Sequence, residues 1–169
     1  MSEDVAVFAG GCFWHVEEAF GNVKGVIRTR VGYTGGKLDN PSYEDVCTGT
    51  TGHAEAVEIT FAPEAVSYRN LLEEFFELHD PTTLNRQGPD TGTQYRSAIF
   101  WRDELQKNEA ENFVRELEES GRFGGKEIVT AIVPLGKFWE AEEYHQKYFF
   151  KLRNQGVNPE CRVDLGKRE

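Results

Sequence analysis

Val5-Ala6-Val7-Phe8-Ala9-Gly10-Gly11-Cys12-Phe13-Trp14 is the stretch that decides how this chain is read. Val5, Val7 and Phe8 have the apolar character of a short buried strand, Gly10 and Gly11 permit a sharp turn, and Val16 to Phe20 carry apolar and acidic residues at helical spacing. Cys12 is therefore expected in the first turn of a helix. Unpaired backbone N–H groups and the positive end of the helix dipole favour thiolate there, and comparable settings lower a cysteine pKa from roughly 8.5 toward about 7. With two aromatic rings beside it, the thiol reads as a reactive cysteine next to an apolar pocket. A structural cysteine packed in an aromatic core is the competing reading, since free cysteine is among the most buried residue types.

Outward from this unit, Val26 to Tyr33 alternates like a strand and runs into the turn Thr34-Gly35-Gly36. Val57 to Phe61 alternates likewise, with Val57, Ile59 and Phe61 on one face and Glu58 and Thr60 on the other, so both strands are expected to be half-buried. Ser67 can cap a helix through Leu71, Leu72, Phe75 and Phe76 that stops near His79-Asp80-Pro81. From Pro81 to Gln94 only Leu84 is apolar, which predicts a long loop of the kind that carries function. Arg96 to Trp101 returns to strand character, and Asp103 to Ser120 is a charged helix with Leu105, Phe113, Val114 and Leu117 as its expected inner face. Glu127 to Leu135 reads as a strand and Trp139 to Leu152 as a helix, followed by a tail over 153–169. The interleaving gives an α+β class: one mixed sheet with helices packed against it, a ferredoxin-like two-layer core with long loops.

The 169 residues suffice for one substantial core and are too few for two full domains, so 1–169 is expected to be a single domain. With 38% hydrophobic residues, 12 Phe and 3 Trp, the chain has the composition of a globular protein with an aromatic-rich interior. A formal charge of −10 repels nucleic acid and anionic membranes over most of the surface. No apolar run approaches the ~20 residues that span a bilayer, and Glu3 and Asp4 stand where a signal peptide would be basic. A cytoplasmic monomer is the expectation. Cys12, Cys47 and Cys161 are odd in number and widely spaced, so they read as thiols that pair transiently, if at all.

Other candidate chemistry is dispersed. Glu55, in Gly52-His53-Ala54-Glu55 at the start of the second alternating strand, is either a general acid projecting into a cleft or a solvated glutamate at the strand edge. Asp90 lies in the Gly/Thr loop, where it is equally suited to forming a turn. Tyr43 and Tyr95 are either core aromatics or hydrogen-bond donors to a site. His15, His53, His79 and His145 are far apart and no Cys-x₂-Cys occurs, so no metal site is expected. The glycine-rich stretches match neither phosphate-binding pattern, and no cofactor is expected.

Taken together, these segments resemble the peptide methionine sulfoxide reductase family, type A. The resemblance is carried, in order, by Gly11-Cys12-Phe13-Trp14, Gly32-Tyr33-Thr34-Gly35-Gly36, Tyr43 to Cys47, Thr51 to Glu55, His79 to Thr82, Asn85-Arg86-Gln87-Gly88, Asp90, Gln94 to Ser97 and Tyr144-His145-Gln146. It implies reduction of the S epimer of methionine sulfoxide, free or in proteins. Cys12 would be the nucleophile, Glu55 the acid, and Tyr43, Asp90 and Tyr95 the polar groups around the sulfoxide oxygen. Phe13 and Trp14 would receive the S-methyl group. Attack by Cys12 leaves a sulfenic acid that a second thiol converts to a disulfide for thioredoxin to reduce. Cys161 is the implied resolving cysteine, although its surroundings, Asn158-Pro159-Glu160-Cys161-Arg162, depart from the family's common tail. Cys47 is the alternative, with a buried packed thiol as its expected state, and His15 departs from the family's usual residue there and is expected on the surface of the first helix. A non-catalytic module that binds oxidised methionine or a partner peptide is the functional alternative.

Overall fold

A computed structural model describes residues 2–156. Strand β1 (Asp4–Gly10) passes through Gly11 and Cys12 into helix α1 (Phe13–Gly21). Strand β2 (Val26–Thr34), the short helix α2 (Tyr43–Cys47), strand β3 (Ala54–Phe61) and helix α3 (Tyr68–Leu78) follow. A hairpin of very short strands, β4 (Arg86–Gln87) and β5 (Asp90–Thr91), leads through a 3-10 turn at Thr93–Tyr95 into β6 (Ser97–Trp101). Then come α4 (Glu104–Ser120), β7 (Ala131–Pro134), β8 (Trp139–Glu140), a 3-10 turn at Glu143–His145 and α5 (Tyr148–Asn154). No helix among the described residues is long and apolar enough to cross a membrane.

The main sheet has the order β7-β6-β1-β3-β2-β8. Its β6–β7 pair is parallel and the other pairs are antiparallel, so the sheet is mixed and the class α+β. Because side chains alternate along a strand, each inner strand feeds two cores. Phe8, Val31, Tyr33, Val57 and Ile59 pack with Phe20, Leu72 and Phe75 of the helices. On the opposite face Val7, Ala9, Ala54, Ala56 and Phe100 are covered by Ala131, Leu135 and Phe138. The inner strands are thus buried on both faces rather than half-buried, because the chain after β7 folds over a face that alternation alone leaves to solvent.

Ser67 does cap α3: its hydroxyl accepts the Asn70 N–H and the Asn70 side chain accepts the Ser67 N–H, a reciprocal box. Four other segments differ from the sequence reading. In α4 the inner face is Gln106, Ala110, Phe113 and Leu117, while Leu105 is 74% exposed. Asp103 accepts the Gln106 N–H and sets the start of the helix, and the Gln106 amide donates to Val5 O at 2.8 Å, so a polar residue faces inward with a partner. The expected strand 127–135 is confined to β7. The expected helix over 139–152 is broken into β8, a 3-10 turn and α5, because the Gln146 side chain accepts from Val31 N–H and donates to Val31 and Ala141 carbonyls, each at 2.9 Å. These bonds hold 141–146 against the edge of β2, and Lys147, with φ +54°, reverses the chain into α5. Likewise the expected loop 81–94 contains the β4–β5 hairpin.

Candidate active site

β1 ends where β3 begins, since the two are antiparallel, and this brings Cys12 to Glu55. The turn needs its glycines. A Cβ on Gly10 would press on the rings of Phe75 and His79 at 3.0 and 3.2 Å, and Gly11 has φ +102° with Gln87 against it. Cys12 then stands at the N-cap of α1.

Glu55 is 2% exposed and lies opposite Tyr33 in the β2–β3 register. Its Oε1 accepts the backbone N–H of Phe13 at 3.2 Å, so the first helical amide of α1 is directed at the carboxyl. Burial pushes the Glu55 pKa up to about 8; the Phe13 N–H opposes this and the charge of Asp90 adds to it. A carboxyl in this setting keeps its proton at neutral pH.

The Cys12 thiol is also pushed up, by burial first, then by Glu55, with a smaller push from Asp90. The amides of Trp14 and His15 favour thiolate but do not prevail. This reverses the expectation that the helix terminus would win: the desolvation of a half-buried sulfur outweighs the first turn of a short helix. Two protons are therefore held side by side, one on sulfur and one on the carboxyl.

Tyr43 opens α2, whose start is fixed by the capping box of Ser42 and Asp45. Its hydroxyl is kept protonated by burial and then by Glu55. Tyr95 ends the 3-10 turn after β5 and is raised by burial, Glu55 and Asp90. The carboxyls of Glu55 and Asp90 thus titrate against the same group of atoms as the two phenols and the thiol, so that ionising one holds the proton on the others. Cys12, His15, Gln87 and Asp90 line one groove.

Phe13 is buried against Tyr33 and His145, with centroids 5.7 and 5.1 Å away, while Trp14 keeps part of its surface and stacks on Tyr148 at 3.8 Å. The indole Nε1–H of Trp14 donates to His145 Nδ1 at 3.0 Å. His145 is 1% exposed, and its Nε2 lies 3.9 Å from a Glu142 carboxylate oxygen. Glu142 in turn accepts from the Tyr33 hydroxyl at 2.8 Å and the Tyr43 N–H at 2.9 Å. His145, Glu142 and Tyr148 are site residues that no local sequence pattern revealed; the run Tyr144-His145-Gln146 was the available signal.

Cys47 is exposed at the end of α2 and shares a hydrogen bond with the Tyr43 hydroxyl, which corrects the expectation of a buried thiol. His15 is on the outer side of α1, edge-on to Phe149 at 5.2 Å. Cys161 lies outside the described residues. Among the described residues, no group of three or more His, Cys, Asp or Glu is placed to hold a metal ion.

Residues 4–168 match the family model described as peptide methionine sulfoxide reductase. The chain is 62% identical over 146 residues to the peptide methionine sulfoxide reductase MsrA of Methanothermobacter thermautotrophicus, covering 86% of each chain. Its fold is similar to the crystal structure of reduced Mxr1 from Saccharomyces cerevisiae, with a TM-score of 0.83 and 36% identity over 88% of this chain and 85% of that one. Mxr1 in complex with Trx2 is also similar, with a TM-score of 0.62 and 27% identity over 86% of this chain and 84% of that one. By the span of the family match and the identity to its relatives, the chain belongs to the peptide methionine sulfoxide reductase family, type A.

Proposed function

We propose that this protein reduces the S epimer of methionine sulfoxide, free or in proteins, to methionine. The observation that carries the reading is the meeting of Cys12 with a buried Glu55 whose carboxyl stays protonated up to about pH 8. A sulfoxide sulfur is a poor electrophile until its oxygen is protonated or strongly hydrogen-bonded, so a thiol nucleophile needs an acid across the substrate. Glu55 gives its proton to the sulfoxide oxygen as Cys12 Sγ bonds to the sulfoxide sulfur, and the thiol proton replaces it on the carboxylate. Transfer of the hydroxyl to Cys12 then releases methionine and leaves a sulfenic acid. Tyr43 and Tyr95 donate to the oxygen, and Asp90 closes the polar side. Phe13 and Trp14 receive the methyl group; such a contact discriminates by only about 1–3 kcal/mol, so the epimer is chosen by geometry.

Regeneration runs through a disulfide formed by loss of water between the Cys12 sulfenic acid and Cys161, which thioredoxin reduces. The similarity to Mxr1 in complex with Trx2 supports that reductant. We read residues 1–169 as one catalytic domain, a cytoplasmic monomer whose acidic surface suits neither nucleic acid nor an anionic membrane. With dithiothreitol as reductant the protein is expected to turn over the S-sulfoxide and Cys12→Ser to abolish turnover; substantial residual activity sinks the assignment. Cys161→Ser is expected to permit one turnover and then to stall with thioredoxin. A non-catalytic binding module has no use for a thiol beside an acid, and peptide binding without product is the outcome that would revive it.

A further inference from the structure

Gln87 takes no part in the chemistry above, yet it touches three pieces of the site. Its side-chain amide closes a two-bond ring with the backbone of Asp80: Oε1 accepts the Asp80 N–H and Nε2–H donates to the Asp80 carbonyl, both at 2.8 Å. One side chain thereby satisfies both backbone polar groups of a residue outside any regular element. Its Cβ and Cγ lie against Gly11, where an added methyl would come within 2.8 Å of Cγ. In the β4–β5 hairpin Gln87 is paired with Asp90, whose charge acts on Cys12, Glu55 and Tyr95.

The Asp80 end of the clamp is itself fixed. The Asp80 carboxylate accepts the Thr82 N–H at 2.9 Å and the Thr82 hydroxyl at 2.6 Å. The preceding His79 is buried, with Nδ1 on Phe75 O at 2.6 Å and Nε2 on the Ser97 hydroxyl at 2.7 Å. Phe75 O can only accept, so Nδ1 carries the proton and Nε2 accepts from Ser97. The hairpin is closed by Gly92 N–H to Asn85 O at 2.9 Å and Arg86 to Gly88 O at 3.0 Å, and the Thr83 hydroxyl, which donates to Arg86 O at 2.7 Å, ties it to the same loop that Gln87 grips. A two-residue hairpin has no stability of its own and needs an anchor.

We infer that Gln87 is a positioning residue: it clamps the β4–β5 hairpin to the Asp80 backbone and so holds Asp90 in place over the Gly11-Cys12 turn. The inference rests on the reading of Cys12 as nucleophile. Gln87→Met keeps the length of the side chain and its packing on Gly11 but removes both hydrogen bonds. Gln87→Glu keeps the acceptor for Asp80 N–H, loses the donor to its carbonyl and adds a negative charge beside the turn.

Gln87→Met is expected to lower kcat about tenfold or more, because a displacement of roughly 1 Å at a reacting centre can cost about a hundredfold, with KM within about twofold. The Cys12 thiol faces Glu55 from β3, Asp90 from β5, the Tyr95 phenol from the 3-10 turn, and the Trp14 and His15 amides of α1. The rate of Cys12 alkylation by iodoacetamide at one fixed alkaline pH, read by peptide mass spectrometry, should rise in Gln87→Met, as Asp90 recedes, and fall in Gln87→Glu. A residue that only supports the fold would not move the two rates in opposite directions. Gln87→Met combined with Asp90→Asn should be no slower than Asp90→Asn alone, since the first acts through the second. Wild-type kcat and alkylation rates in both Gln87 variants, or full additivity with Asp90→Asn, would overturn the inference. Turnover that survives Cys12→Ser would instead overturn the functional reading, while the alkylation rates, which need no turnover, still decide the role of Gln87.

Discussion

The backbone N–H of Phe13 donates to Glu55 Oε1 at 3.2 Å, so a helix terminus that by sequence faces the nucleophile also serves its acid. The carboxyl is nevertheless held at about 8, because burial outweighs that single amide. The rate of sulfoxide reduction should therefore be sustained through neutrality and fall as pH rises through about 8, where Glu55 loses the proton it delivers. Glu55→Gln should remove this alkaline limb together with most of the rate, while Glu55→Asp, too short to reach from β3, should also be slow. Single-turnover rates between pH 6 and pH 10, roughly two units either side of the Glu55 midpoint, check this; a rate that climbs through pH 8 refutes the acid role.

The same proton bears on stability. The folded pKa of Glu55, about 8, lies above its ordinary 4.5, so the native state binds the extra proton between these values. Its contribution is fully present below about 4.5 and is lost as pH rises to about 8. Relative to wild type, Glu55→Gln should gain stability on going from pH 5 to pH 8, by a few kcal/mol at about 1.4 kcal/mol per pKa unit. Urea denaturation of both proteins at the two pH values measures the difference, and a constant gap would contradict the burial of an ionisable carboxyl.

Thiol reactivity should not follow catalytic importance. Cys47 is exposed, whereas Cys12 is half-buried and its thiol is held protonated by burial and by Glu55. With no substrate present, iodoacetamide at pH 7.5 should label Cys47 before Cys12, because alkylation needs an accessible thiolate. Peptide mass spectrometry reads the order. Prior labelling of Cys12 would restore the view that the helix terminus activates it at rest.

What the sequence made legible was whatever local rules control. The β1–turn–α1 unit, the Ser67 cap and the Leu71, Leu72, Phe75, Phe76 stripe each depend on neighbours within one or two turns. Leu105 faces solvent because the stripe of α4 is set by Gln106, whose amide finds a backbone partner 101 residues away. The break in the 139–152 segment is hidden from local pattern for the same reason: the bonds of Gln146 to Val31 span 115 residues. The motif residues could be named, but the resting protonation of Cys12 depends on the distance and burial of Glu55 and Asp90, which no pattern of spacing encodes.

His145 carries the next expectation. It is the acceptor for the Trp14 indole N–H at 3.0 Å and packs on Phe13 and Tyr43, with centroids 5.1 and 4.6 Å away. Burial lowers its pKa, so the neutral ring with Nδ1 free to accept is the form that holds Trp14. His145→Phe keeps the ring contacts and loses the acceptor, which at about 1 kcal/mol should raise KM about fivefold with kcat little changed. His145→Gln, which can present an oxygen to the indole, should recover part of that loss. Equal KM in all three proteins would show that the indole needs no such support.

Gly36 and Gly21 make a matched pair for the final expectation. The N–H of Gly36 donates to His53 Nδ1 at 3.1 Å, while His53 Nε2 pairs with Leu38 O at 2.7 Å and so carries the ring proton. The turn after β2 is thereby bound to the residues that lead into β3 and Glu55. A Cβ on Gly36 would run into the backbone of Thr51, Gly52 and His53, none of which can rotate away. Gly36→Ala should cost about 1–3 kcal/mol, a fall in Tm of roughly 5 °C for a chain of this size, and should slow turnover because the displaced backbone carries Glu55. Gly21 ends α1 with nothing within 4 Å of its added Cβ, so Gly21→Ala should raise stability by up to about 1 kcal/mol through helix propensity alone. If thermal denaturation moves both variants the same way, the close approach at Gly36 does not constrain the strand that presents the acid.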